Sequence, residues 1–155
     1  MKQSFFIFLL TILLIQGHAK DANITLRQAQ YNLSRSKLAI EGFDPVSYFS
    51  GKPKKGDAAY TVQYSGVAYY FASLQNKEAF QKTPFKYEPQ NGGWCAYDMG
   101  SYGSKVEVDP ETYKILDGTL YLFYNSFFNN TLKSWNRAEA MLMKNADASW
   151  EKFYH

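Results

Sequence analysis

The sequence has very little cysteine and histidine, and this scarcity limits its chemistry. Cys95 is the single cysteine, and His18 and His155 are the two histidines. One thiol cannot close a disulfide within the chain. His18 falls in a segment that we expect to be removed, and His155 is the last residue, where chain ends are usually frayed. Because catalytic triads and Cys-His pairs need a held imidazole, the sequence argues against these enzymes and against histidine-rich zinc or copper sites.

Long hydrophobic runs and a strong charge are also missing. The apolar stretch from Phe5 to Ile15 is about 11 residues, whereas a membrane-spanning helix needs roughly 20. The formal net charge of +3 is small, and the basic residues are mostly scattered, so nothing indicates a polyanion as partner. We therefore expect neither nucleic acid binding nor a stable membrane anchor.

The first 19 residues have the three parts of a secretory signal. Lys2 supplies the positive start, Phe5 to Ile15 the apolar stretch, and Gly17-His18-Ala19 a cleavage site with small residues at both ends. We expect residues 1–19 to be a signal peptide and the protein to be exported, either to a periplasm or out of the cell.

The rest of the chain fits one domain. About 136 residues follow the signal, which is enough for a single sizeable core. Residues 20–37 are polar without a clear apolar period, and we expect them to be a lead-in segment before a domain spanning 38–155. The 13 tyrosines and 12 phenylalanines suit half-buried sheet faces, since tyrosine combines apolar bulk with a polar tip.

Local patterns predict a small single domain of the α+β class. One antiparallel hairpin is predicted over 60–71 with its turn at Ser65-Gly66, and a second turns at Asp117-Gly118, which readily takes positive φ angles. Ser73 can cap a short helix that runs to about Gln81. A C-terminal amphipathic helix is predicted from residues recurring at spacings of three and four, namely Leu132, Trp135, Glu139, Leu142 and Ala146.

Several segments in order resemble one protein family. The strings Ile40-Glu41-Gly42-Phe43-Asp44-Pro45-Val46-Ser47-Tyr48-Phe49, Tyr69-Tyr70-Phe71-Ala72-Ser73, Gly92-Gly93-Trp94-Cys95-Ala96 and Asp117-Gly118-Thr119-Leu120-Tyr121-Leu122 carry the likeness. Together they resemble the YHS domain family in its exported bacterial, single-domain branch. The resemblance covers roughly residues 38–153 and is specific for the family rather than for an activity.

The sequence departs from this family at one set of positions. Other YHS domains, including those fused to copper-transporting ATPases, place three cysteines where this chain has Ser47, Ala72 and Asn76. A hydroxyl, a methyl and an amide cannot replace thiolates toward a soft metal ion. The resemblance therefore does not bring that metal site to this chain.

The candidate site lies around the lone thiol. Two glycines before Trp94 free the backbone for close approach and uncover amide groups. If a helix begins here, Cys95 lies in its first turn, where the helix dipole favours thiolate and is expected to lower its pKa. The candidate ligand-binding residues are Cys95, Gly92, Gly93, Trp94, Tyr97 and Asp44.

A metal site is a narrower form of the same hypothesis. Cys95 and Met99 are four residues apart, so on a helix their sulfur atoms share a face. Soft sulfur ligands suit a copper or zinc ion, the candidate cofactor, with Asp98 as a further ligand.

Simpler interpretations of these residues are also open. Cys95 can be a small buried hydrophobe or form an intermolecular disulfide, Met99 can be core, and Asp44 can be a turn residue whose carboxylate bonds nearby amides. Three functions remain open at this point. The sequence favours a non-enzymatic binding module for a small ligand or metal ion, and the alternatives are a thiol-based redox protein or sensor and an interaction or scaffold domain with Cys95 as core.

Overall fold

The computed structural model describes residues 23–154. The expected signal peptide and His155 lie outside the described residues. The described part is an α+β domain with three small antiparallel sheets and a C-terminal helix, as predicted from the sequence. Its six α-helices are α1 over 23–30, α2 Leu74–Lys82, α3 Pro84–Tyr87, α4 Ala96–Tyr102, α5 Thr131–Trp135 and α6 Glu139–Glu151. Short 3₁₀ turns occupy Ile40–Gly42, Ser47–Ser50, Gln90–Gly93 and Lys152–Tyr154.

Each sheet has two strands joined by a tight turn. Strand β1 (Asp57–Tyr64) pairs with β2 (Val67–Phe71), and β3 (Asp109–Leu116) pairs with β4 (Thr119–Phe123). A third, smaller pair joins β5 (Asn125–Ser126) to β6 (Asn129–Asn130). The sequence predicted the first two hairpins and not the third.

Turn chemistry explains the two larger hairpins. Ser65 and Gly66 have φ angles of 46° and 81°, and Asp117 and Gly118 have 49° and 77°. Positive φ at both central residues is the geometry of a two-residue turn whose twist matches that of the flanking strands. Both turn predictions are confirmed.

One hydrophobic core joins the two larger hairpins. Its buried residues from β2 and β4 are Val67, Tyr69, Phe71, Leu120 and Leu122. Phe80 of α2 completes this core, and its ring centroid lies 5.1 Å from that of Phe71. Helix α2 begins where the sequence predicted, because the Ser73 side chain accepts a hydrogen bond from the Asn76 amide at 3.2 Å.

The C-terminal helical region is divided. The spacing predicted one amphipathic helix, but α5 ends at Trp135 and α6 begins at Glu139. Trp135 is fully buried against Tyr121 and Phe123, and its indole N–H donates to Glu139 at 3.0 Å. The two helices are separated at Ala138, whose φ of −147° and ψ of 35° are not helical.

Helix α6 packs closely against α4. A Cβ added at Gly100 of α4 would lie 2.4 Å from the Leu142 carbonyl oxygen, so only glycine allows this approach. Leu142 and Ala146 are the buried residues of α6, as the predicted periodicity requires.

The expected lead-in segment contains the helix α1, which the sequence analysis did not predict because no apolar period marks it. This helix is tied to the domain by polar contacts. Arg27 forms an ion pair with Glu88, and the Gln30 carbonyl accepts a hydrogen bond from the Trp94 indole at 2.7 Å. Within residues 23–154, no helix is both long enough and apolar enough to cross a membrane.

Candidate functional site

Cys95 lies immediately before α4 and its side chain is completely enclosed. Its exposed fraction is 0%. The backbone N–H of Cys95 donates to the Val106 carbonyl at 3.0 Å, and its carbonyl accepts from Met99 N–H, also at 3.0 Å. These bonds hold the residue at the junction of a loop and a helix.

The thiol is bonded to the base of the third hairpin. Its sulfur accepts a hydrogen bond from the Tyr124 N–H at 3.3 Å and lies 3.4 Å from the Thr131 hydroxyl. Thr131 in turn donates to the Tyr124 carbonyl from its hydroxyl at 2.8 Å and from its amide at 3.0 Å. Tyr124 precedes β5 and Thr131 follows β6, so these bonds fasten both ends of the hairpin to Cys95.

Burial raises the pKa of the Cys95 thiol above its ordinary value. Burial is the largest cause. The Asp98 carboxylate raises this pKa further, while the Thr131 hydroxyl and the amides of Asp98 and Tyr124 lower it by smaller amounts. The expectation of a lowered pKa is therefore wrong, because desolvation of the sulfur outweighs the nearby amides. The thiol is neutral at physiological pH.

The glycines before the thiol approach another part of the same chain. Gly92 has φ 60°, and a Cβ there would lie 2.5 Å from the Trp150 ring. The Trp150 side chain thus fills the space beside Gly92 that the sequence analysis assigned to a ligand. Gly93 has φ 85°, a backbone angle that favours glycine.

Trp94 and Tyr97 are half-buried neighbours of the thiol. Trp94 is held by its bond to Gln30, and the Tyr97 ring packs edge-on against Tyr102 with centroids 6.4 Å apart. Two cavities, of about 170 Å³ and 390 Å³, lie elsewhere, and neither is lined by a candidate residue.

Asp44 lies away from this segment, in the turn after the first 3₁₀ helix, and has an exposed fraction of 0%. One carboxylate oxygen accepts from the amides of Val46 at 2.8 Å and Ser47 at 3.3 Å. The other accepts from the Ala72 amide at 2.9 Å and the Asn76 side chain at 2.6 Å. Asp44 is therefore a turn residue, as one reading of the sequence held, and it also joins this turn to the end of β2 and to α2.

These bonds gather the three positions where the resembling family carries cysteines. Ser47, Ala72 and Asn76 all bond to the same carboxylate. The group does not fit a soft metal ion, because it offers no thiolate and the Asp44 oxygens are engaged by four N–H donors.

The residues around Cys95 do not form a ready metal site either. Met99 is fully buried, and Oδ2 of Asp98 is buried without a hydrogen-bond partner. In the described part of the chain, no three His, Cys, Asp or Glu side chains are grouped so that they could hold a metal ion.

The structure brings out one feature that the sequence analysis missed. Phe127 and Phe128 form the turn between β5 and β6, and both side chains are fully exposed. We call these two residues the diphenylalanine tip. A sequence signal was present, since no charged residue occurs in 118–132 and the two phenylalanines are flanked by asparagine and serine.

No family model, curated protein or solved structure matches this chain. The assignment of a role therefore depends on the geometry described above.

Proposed function

We propose that this chain is an exported, non-catalytic interaction or scaffold domain of the YHS type, in which Cys95 is a core residue. The observation that carries this proposal is the enclosure of the Cys95 sulfur, with an exposed fraction of 0% and bonds to Tyr124 and Thr131. A nucleophile or an anchor for an external ligand must be reachable, and this sulfur is used to hold the third hairpin.

The convergence of three distant positions supports the YHS part of the proposal. Ser47, Ala72 and Asn76 are spread over 30 residues of sequence, yet all bond to Asp44. This is the arrangement expected if the chain keeps the family's frame and has replaced its metal-binding cysteines with residues whose N–H groups donate to the Asp44 carboxylate.

Export is the part of the proposal that depends on sequence. It is supported by the signal-like residues 1–19. Expression of the full chain with a fused reporter, followed by fractionation and N-terminal sequencing, tests it. We expect a mature N-terminus near Lys20, and an uncleaved chain in the cytosol would contradict export.

The role of Cys95 is tested by the rate of thiol alkylation in the folded protein. We expect the folded chain to react at least about 100-fold more slowly than the urea-unfolded chain, because the sulfur must first be uncovered by local opening. The matched control is Cys95→Ala combined with Ser101→Cys, which places a thiol at an exposed position of α4. This control should react at nearly the same rate folded and unfolded.

The same assay distinguishes the other two functions. Rapid alkylation of the folded wild-type chain would favour a thiol-based redox protein or sensor. Slow alkylation that stoichiometric Cu(I) or Zn²⁺ slows further, with the metal retained on gel filtration, would favour a metal-binding module. Either result would overturn the core assignment of Cys95.

A further inference from the structure

The diphenylalanine tip combines a strained backbone angle with two exposed aromatic side chains. Phe127 has φ 44°, in the left-handed region that a bulky side chain rarely adopts. The other two hairpin turns have glycine at their second central position, Gly66 and Gly118. A two-residue turn favours such sequences, and two fully exposed phenylalanines add no packing within the chain. The stability of the fold therefore gives no reason for phenylalanine at positions 127 and 128.

The tip is presented on a fixed base. The bonds from Thr131 to the Tyr124 carbonyl close the hairpin, and the Tyr124 N–H bonds to the enclosed Cys95 sulfur. The Asn125 side chain donates to the Thr112 hydroxyl of β3 at 3.0 Å. Because the base is part of the core, the two aromatic rings project outward from a defined position.

The size and charge of the tip indicate what it contacts. Two phenylalanine side chains can bury about 300–500 Å², which is below the roughly 800 Å² that each partner contributes to a standard protein interface. A lipid bilayer needs neither a large area nor a complementary shape. The tip also lies within the charge-free stretch 118–132, so its insertion desolvates no ion.

Charges near the hairpin set the expected lipid preference. Lys133 and Arg137 are the first charged residues after the tip, and both are exposed. On the neighbouring strand β3, Glu111 is exposed, while the Asp109 carboxylate accepts bonds from Thr112 and from the Glu111 amide. The bonds to Asp109 come from neutral donors, so its carboxylate keeps its charge. The two cations and the two carboxylates balance, and we expect no strong preference between neutral and anionic headgroups.

We propose that Phe127 and Phe128 insert into the interfacial layer of a phospholipid bilayer and give the domain a weak, reversible membrane contact. This inference rests on the proposed interaction role and names its partner. The membrane contact and the core role of Cys95 are tested independently, since alkylation of Cys95 involves no lipid and vesicle binding does not depend on thiol reactivity.

Flotation of the mature chain with vesicles of phosphatidylcholine and phosphatidylglycerol tests the proposal. We expect the wild type to float with these vesicles, and to a similar extent with vesicles of phosphatidylcholine alone. The double variant Phe127→Ser/Phe128→Ser should bind at least about 10-fold more weakly, because it loses the burial of two aromatic rings. The matched control is Phe85→Ser, at an exposed phenylalanine of α3 that is 77% exposed, which should bind as the wild type does.

A second variant measures insertion directly. Phe128→Trp should retain binding, and its added fluorescence should be quenched by lipids brominated on the acyl chains. Circular dichroism and the thermal midpoint of each variant check that it is folded.

Three outcomes would overturn the proposal: no flotation of the wild type, equal flotation of wild type and double variant, or binding without quenching of the Phe128→Trp emission. Self-association that requires both phenylalanines, in a chain that does not bind vesicles, would replace the bilayer with a second copy as the partner.

Discussion

Substitution of Asp44 tests whether this candidate site residue stabilises the fold or is held for an external ligand. Its carboxylate is fully buried and accepts four hydrogen bonds, two within its own turn and two from Ala72 and Asn76. Asp44→Ala removes the acceptor from all four donors. If Asp44 were held for an external ligand, its removal would leave the fold nearly as stable as before.

The structure supplies a matched comparison at Asp57. Its carboxylate accepts from the Ala59 amide at 2.8 Å, the same spacing and length as the bond from Val46 to Asp44. Asp57 is exposed, however, and this bond lies within its own strand. Asp57→Ala therefore removes the local turn bond alone. The difference between the two variants measures the part of the Asp44 network that joins distant segments.

The expected magnitudes follow from the number of donors left without a partner. Each buried donor left unsatisfied costs about 1–3 kcal/mol. The bonds from Ala72 and Asn76 are part-buried, so the low end applies to each donor, and their loss should destabilise the fold by about 2 kcal/mol. Asp57→Ala should cost below about 1 kcal/mol, because water replaces an exposed bond. Asp44→Asn should fall between the two, since its amide keeps one acceptor oxygen and turns an N–H₂ toward the other pair of donors.

Urea unfolding at pH 7 followed by tryptophan fluorescence gives the three free energies of unfolding. A total stability of about 5–15 kcal/mol makes a loss of this size readily measured. Equal losses for Asp44→Ala and Asp57→Ala, within about 1 kcal/mol, would refute the view that Asp44 joins the two segments. A double-mutant cycle with Asn76→Ala should show a coupling of about 1–2 kcal/mol.

Three further predictions concern packing, the tip and pH. Gly100→Ala should destabilise the fold by about 3 kcal/mol, because its Cβ would meet the Leu142 carbonyl oxygen at 2.4 Å, and an unchanged thermal midpoint would contradict this. Phe127→Gly should stabilise it by about 0.5–1 kcal/mol, since glycine removes the strain of a positive φ and then loses part of that gain to unfolded-state entropy; a loss measured by urea unfolding would show that the ring contributes packing. Burial raises the pKa of Tyr48 and Tyr69 above the ordinary phenol value, so above about pH 10 the unfolded chain loses protons that the folded chain keeps. Stability should therefore fall between pH 7 and pH 11, and equal urea midpoints at the two values would refute the assignment.

The parts of the fold that the sequence predicted are those with local causes. Asp117-Gly118 marks a turn through its own backbone preferences, and Ser73 starts α2 by bonding an amide three residues on. The third hairpin escaped prediction because its turn carries Phe127 and Phe128 in place of the residues that favour positive φ. The break between α5 and α6 escaped prediction because the apolar spacing continues across it. The non-helical backbone of Ala138, with φ −147° and ψ 35°, separates the two helices.

The candidate site also combines local features, which the sequence predicted, with long-range contacts, which it did not. The sequence offered Asp44 both as a ligand-binding residue and as a turn residue whose carboxylate bonds nearby amides. The bonds from Ala72 and Asn76 come from residues 28 and 32 positions later. The arrangement of these contacts follows from how β2 and α2 pack beside the turn.

By itself, the sequence determined that this chain has one thiol and no internal disulfide, and that two tight hairpins and a capped helix form from their own residues. The tertiary structure alone decided the state of that thiol. The groups around Cys95 that set its pKa include Tyr124 and Thr131, which lie 29 and 36 residues along the chain. The residues next to Cys95 predict the helix that follows it. The enclosure that desolvates its sulfur is made by distant segments, which come together only when the chain has folded.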